Sequence, residues 1–162
     1  MNVQTRLAQF TPAEAEKITG VSVALQRKWR REGHGLPSAK GWTRWDREGL
    51  ARLLVLGHLA ELVGPARAVS MIGPDQGGSA AALVALQATK QPGASEGVQV
   101  ADQNLPRFAV SIGGGPITLP RNLLEALEGA SAPAIVLDLE ALGKQLAQRA
   151  GRPLIICTEA ET

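Results

Sequence analysis

Val21-Ser22-Val23-Ala24-Leu25-Gln26-Arg27-Lys28-Trp29-Arg30-Arg31-Glu32-Gly33 reads as a short helix with one apolar side and one strongly basic side. At about 100° per residue, Leu25 and Trp29 fall within about 40° of each other, and Arg27, Arg30 and Arg31 lie within about 60° of the opposite direction. Gln26 and Lys28 sit on the flanks. The charge is one-signed from Arg27 to Arg31, and acid returns only at Glu32. Most solvated helix faces mix signs. A helix held by two apolar anchors that turns arginines outward suits a phosphate backbone, with base edges beyond it.

The residues before this helix prepare it. Thr11-Pro12-Ala13-Glu14 is a helix start: threonine at the N-cap, glutamate three residues on as a capping box, and proline at the first helical position. Gly20 ends that helix, and Ser22 caps the next almost at once. Helix, tight turn and helix in about twenty residues set the two axes at a steep angle, so that the first braces the second.

The residues after it read as a wing. Residues 36–45 place apolar patches on either side of a Gly/Pro/Ser/Lys stretch, which predicts a β-hairpin with Lys40-Gly41 near its tip. Trp42 and Trp45 are three apart and cannot share one face of a regular strand, so one packs on the helices and the other covers the wing or leans toward the backbone. Lys40 and Arg44 are placed to reach phosphate. Asp46 caps a helix from Arg47 to Val63 that carries more leucine than a single stripe needs, which predicts packing on the first two helices and contact with another chain. Gly64-Pro65 ends it.

Composition sharpens the division between the two ends. The first 60 residues hold ten Lys/Arg against five Asp/Glu, and the remaining 102 hold seven against ten. A basic front and an acidic back point to an anionic partner for the front alone. The three tryptophans fall at 29, 42 and 45, in a chain with no tyrosine and two phenylalanines. One cysteine, Cys157, excludes an intramolecular disulfide, and two histidines with that cysteine form no metal-ligand spacing. The amino-terminal residues lack an apolar leader and no run reaches the roughly 18 apolar residues of a membrane span, so a cytoplasmic, nucleoid-associated location is expected.

In the back half, residues 66–72 read as one or two helical turns, 73–78 as a loop, and Ser79 as the cap of a helix through Thr89. Residues 91–97 read as a linker. Strands are expected at Val98–Val100, Arg107–Ile112, Ile117–Leu119, Ala134–Leu137 and Leu154–Thr158, with helices at Arg121–Leu127 and Leu139–Ala150. Strand 134–137, helix and strand 154–158 would then lie parallel in one sheet by right-handed crossover. Gly113-Gly114-Gly115 reads as a turn rather than a phosphate cradle, because no Lys-Ser/Thr pair follows. Asp138 reads as a helix cap. Cys157 reads as a small apolar residue, not a nucleophile. The fold class expected is α+β, with a winged helix-turn-helix in 1–73, a helix and linker in 74–97 and a small α+β unit in 98–162.

The segments FTPAEAEKITGVSVALQRKWRREG and GWTRWDREGL resemble the winged helix-turn-helix of the mercury-resistance regulator (MerR) family of bacterial transcription factors. The likeness rests on the Thr19-Gly20-Val21-Ser22 turn, the Arg31-Glu32-Gly33 helix end and the Gly41-Trp42-Thr43-Arg44-Trp45 wing motif. It covers about residues 8–65. Gln26 stands where the family carries leucine, and Thr43 stands where its wing carries arginine. No long dimerisation helix is evident after residue 65. The chain is thus more similar to the short phage and prophage members than to metal or drug sensors. The resemblance implies DNA contact by Arg27 and Lys28, an aromatic packed beneath the helix at Trp29, and phosphate contact by Lys40, Thr43 and Arg44.

Together these readings predict a sequence-specific transcriptional regulator that binds double-stranded DNA. The contact set is Ser22, Ala24, Gln26, Arg27, Lys28, Arg30 and Arg31 on the helix, with Lys40, Thr43 and Arg44 on the wing. No catalytic constellation, metal site or cofactor is expected. The C-terminal half is assigned to homodimerisation or higher self-association, or to a protein partner. The alternative is a phage-type packaging or recombination accessory, like a terminase small subunit or an excisionase, that recruits an enzyme to DNA.

Overall fold

A computed structural model describes residues 3–34, 44–72, 76–96 and 105–159. It is a mixed α+β architecture. In chain order the elements are β1 (Val3–Leu7), α1 (Pro12–Thr19), α2 (Val23–Arg31), α3 (Arg47–Val63), α4 (Pro65–Ile72), α5 (Gln76–Thr89), β2 (Ser95–Glu96), β3 (Phe108–Ile112), α6 (Leu123–Leu127), β4 (Ala134–Asp138), α7 (Leu139–Ala150) and β5 (Ile155–Glu159).

Local chemistry sets the helix ends. Thr11 N–H donates to Glu14 Oε2 at 2.6 Å while Glu14 N–H donates to Thr11 Oγ1 at 3.2 Å, the reciprocal capping box. Gly20 closes α1 at φ +79, in the left-handed region that favours glycine. Ser22 Oγ accepts from Leu25 N–H at 3.2 Å and opens α2. Asp46 accepts from Gly49 N–H at 2.9 Å and opens α3. Asp138 Oδ1 accepts from Glu140 and Ala141 N–H, both at 3.1 Å, and opens α7.

α3 is the hub. Leu50, Leu53, Leu54, Val55, Leu56 and Leu59 are all buried, so it is enclosed on nearly every side. Most of the surplus of leucine expected to meet another chain is instead covered by α1, α4, α5 and α7 of the same chain, while Leu62 stays 62 % exposed. α5 reaches α7 closely where Gly143 lies against the backbone of Gln87 and Ala88.

One core runs from Ala8 to Leu154. It crosses the boundaries expected at 73 and 98, and α5 packs against both α3 and α7. β1 lies in the first ten residues and pairs antiparallel with β5 near the end, with Thr5 opposite Cys157. β2 adds parallel to the other side of β5.

Several sequence expectations are corrected. β4 and β5 do not share a sheet: β4 pairs antiparallel with β3 alone, and β5 belongs to the β1-β5-β2 sheet. The crossover rule presupposes a common sheet, and β1, which carries no apolar run, had already taken one edge of β5. α5 begins at Gln76, not after Ser79. β2 falls inside the expected linker, while Val98–Val100 lies outside the described residues. Residues 117–119 form a single bridge, Thr118 to Val110, rather than a strand. The Gly113–Gly115 segment is a turn, with Gly113 at φ +62 and Gly114 at φ +74.

Candidate nucleic-acid interface

α2 turns two different faces to its surroundings. Trp29 is 1 % exposed and Leu25 is partly buried against the core. Ala24, Arg27, Lys28 and Arg31 are exposed. Their spacing of three, one and three is one stripe of an α-helix. Arg30 is partly buried beside it. Among the described residues no carboxylate lies within ion-pairing distance of Arg27, Lys28, Arg30 or Arg31. Some cations elsewhere are paired. Arg107 meets Asp138 at 2.8 Å, Lys144 meets Glu140 at 2.6 Å, and Arg152 meets Glu14 at 3.3 Å. At the end of α2, Glu32 lies 2.9 Å from His34 instead of from the basic stripe.

Two hollows adjoin the stripe. One, of about 440 Å³, is lined by Ala24, Arg27, Arg30 and Arg31. The other, of about 410 Å³, lies between the start of α1 and α2, with Pro12, Val23, Gln26, Arg27 and Arg30 in its wall. No acidic side chain lines either hollow.

Gln26 is a correction. It was expected among the DNA-contacting residues, but it is 2 % exposed. Its Nε2 donates to Val21 O at 2.8 Å and Pro12 O at 3.1 Å, and its Oε1 accepts from Trp45 Nε1 at 3.0 Å. The amide therefore joins the start of α1, the turn and the residue just before α3. Trp45 is 1 % exposed and exchanges two 2.8 Å backbone hydrogen bonds with Phe10. Of the tryptophan pair, Trp45 is packed inside. Trp42 lies outside the described residues.

The remaining expected contacts divide. Ser22 is exposed, with its hydroxyl engaged at the α2 N-cap. Arg44 is exposed, near enough to Glu14 to help hold that carboxyl below its ordinary value. The largest causes there are the hydrogen bonds from the Thr11 backbone and hydroxyl, with Arg152 and then Arg44 adding. Lys40, Thr43 and the hairpin tip lie outside the described residues.

Comparison with protein-family models, with curated proteins and with solved structures finds no match.

Two residues that sequence reasoning passed over hold this helix pair in place. Arg152 Nη2 donates to Gln9 O at 2.9 Å and to Glu14 at 3.3 Å, and its guanidinium lies 4.3 Å from the Phe10 ring centroid. Arg149 Nη1 donates to Ile18 O at 3.3 Å, at the C-terminal end of α1 where a cation is favoured. Both come from the far end of the chain, and nothing in a linear reading joins them to α1. The links then run on from Phe10 to Trp45, to Gln26 and to α2.

Among the described residues no group of three or more His, Cys, Asp or Glu side chains could hold a metal ion. None of the helices there is long and apolar enough to cross a membrane.

Proposed function

We propose that this chain binds double-stranded DNA as a sequence-specific transcriptional regulator, with α1 and α2 as a helix-turn-helix and the segment ending at Arg44-Trp45 as its wing. α2 enters the major groove, and the MerR-like likeness of residues 8–65 supports the same reading. The role is binding rather than catalysis, by two copies, so that two α2 helices address half-sites about 34 Å apart.

The observation that carries the proposal is the exposed Ala24–Arg27–Lys28–Arg31 stripe, unneutralised by any described carboxylate, on a helix whose inner side is fixed by Trp29 and Gln26. Fixing the inner side matters, because base discrimination needs side chains delivered from a rigid element. Arg27 and Arg31 would read guanine or phosphate, and Ala24 is short enough to admit a base edge.

The test is selection of bound duplexes from a random pool, followed by titration of the selected DNA against salt. Affinity is expected to fall with a log–log slope of about −0.9 for each phosphate contacted. Arg27→Ala is expected to cost about 1–3 kcal/mol of binding if it reads a base. Failure to enrich any sequence, together with no retention at about 150 mM salt, overturns the proposal.

A second reading, the packaging or recombination accessory, is favoured by one observation. α3 ends at Val63 and is buried in its own core, where ligand-sensing relatives of the proposed family would extend a long dimerisation helix. Recovery of a large packaging or recombination enzyme with the chain on DNA would choose this reading over regulation.

A further inference from the structure

We infer that the outer edge of β4 is a self-association surface, on which a second copy of this chain lays its own β4 antiparallel to form one four-stranded sheet. This deepens the two-copy reading above and rests on it for the expectation that copies meet. Its assay contains no DNA, so its failure leaves DNA binding untouched.

The hydrogen-bond pattern identifies the free edge. Gly113 N–H donates to Pro133 O and Leu139 N–H donates to Arg107 O, both at 2.8 Å. In the β3–β4 register these bonds turn Ile135 and Leu137 toward β3, opposite Ser111 and Ala109. Ala134, Val136 and Asp138 alternate with them and direct their backbone N–H groups away. The opposite edge of the sheet is already occupied, since Val110 and Thr118 exchange bonds of 2.8 and 2.9 Å. Among the described residues no strand pairs with the outer edge of β4.

That edge is its own complement. An antiparallel arrangement with Val136 opposite the partner's Val136 places Ala134 opposite the partner's Asp138, so every outward residue meets another outward residue. A shift of two residues loses a pair, and a shift of one sets outward groups against inward ones. About four backbone hydrogen bonds result, because the Asp138 carbonyl is committed to the first turn of α7.

Charge also selects a second copy. Asp138 is the only charged residue of β4, and Arg107 holds it at 2.8 Å. In the twofold register it faces alanine instead of its own equivalent, so no like charges oppose. The strand carries no lysine, proline or bulge of the kind that keeps edges apart. Val136 and Ile112, each 39 % exposed, lie on one sheet face and would join the matching pair of the second copy. One five-residue strand covers less than the roughly 1,200 Å² of a standard interface, so the dimer is expected at micromolar strength.

Sedimentation equilibrium of the full chain from about 5 to 500 µM tests this. A concentration-dependent monomer–dimer equilibrium is expected. Val136→Pro removes an N–H that points away from β3, so the ladder inside the chain is spared. It should raise the dimer dissociation constant at least about tenfold with the far-ultraviolet circular dichroism unchanged. Should that variant unfold, Val136→Lys decides, because it keeps the N–H and sets like charges face to face. A wild-type chain that stays monomeric throughout, or a folded Val136→Lys that dimerises as strongly as wild type, overturns the inference.

Discussion

Replacing Gln26 by leucine tests whether the buried amide is the joint between the helix pair and Trp45 at the entry to α3. Leucine has nearly the same volume, so the cavity term is small. Its effect is to strand polar groups. Trp45 Nε1–H, in a side chain 1 % exposed, loses the acceptor 3.0 Å away, and Val21 O loses the donor at 2.8 Å. Each buried orphan costs about 1–3 kcal/mol, and burying a leucine in place of an amide returns about 1 kcal/mol. The expected loss is therefore about 1–5 kcal/mol, against a typical total of about 5–15 kcal/mol. Urea denaturation followed by tryptophan fluorescence reads it directly, since all three tryptophans lie in the first 45 residues. Trp45→Phe removes the other partner, so the double variant should cost at least about 1 kcal/mol less than the sum of the two singles. A Gln26→Leu chain as stable as wild type within about 0.5 kcal/mol, yet weaker on DNA, would return Gln26 to the exposed face and refute the reasoning.

Two further outcomes are expected. The Glu14 carboxyl is held below its ordinary value, chiefly by the Thr11 backbone hydrogen bond and then by its hydroxyl. A lowered folded-state value contributes stability that is present above the unfolded glutamate pKa of about 4.3 and is lost as pH falls through the folded value. Glu14→Gln should therefore be slightly less stable than wild type at pH 7, with the gap closing in acid; an equal gap at both ends of the titration would contradict the assignment. Gly143→Ala would bring a Cβ within 2.5 Å of Gln87 Cβ and 2.8 Å of Ala88 N on α5. Overpacking of about 1–3 kcal/mol should exceed the roughly 1 kcal/mol that alanine gains in helix propensity, and a rise in melting temperature would mean that α5 and α7 separate without cost.

The parts of this fold legible in the sequence are those whose causes lie within a few residues. The Thr11–Glu14 box, the Gly20 stop and the Ser22, Asp46 and Asp138 caps are contacts between near neighbours, and α1, α2, α3 and α7 follow from them. Strand partners obey no such rule. β1 pairs with β5 across almost the whole chain, and its sequence has no alternation strong enough to announce it. Gln26 illustrates the harder case. It stands three residues before Trp29, so helical period turns it inward while polarity turns it outward. Polarity lost because the α1–α2 junction presents two carbonyls, and Trp45 one N–H, at the reach of a single amide.

The same distance limit bears on function. Read linearly, the basic helix belongs to a front domain and the acidic half to something appended. In three dimensions Arg149 bonds the last turn of α1, and Arg152 bonds Glu14 in its first turn and stacks on Phe10 just before it. Any displacement of α7 or of the residues after it must therefore move α1 or break these bonds. α1 in turn holds α2 through Gln26. On the proposed reading, the element that would choose DNA and the element that would meet a partner share one core and one chain of hydrogen bonds. A contact made at one end has a physical route to the other, through groups whose loss can be measured one at a time.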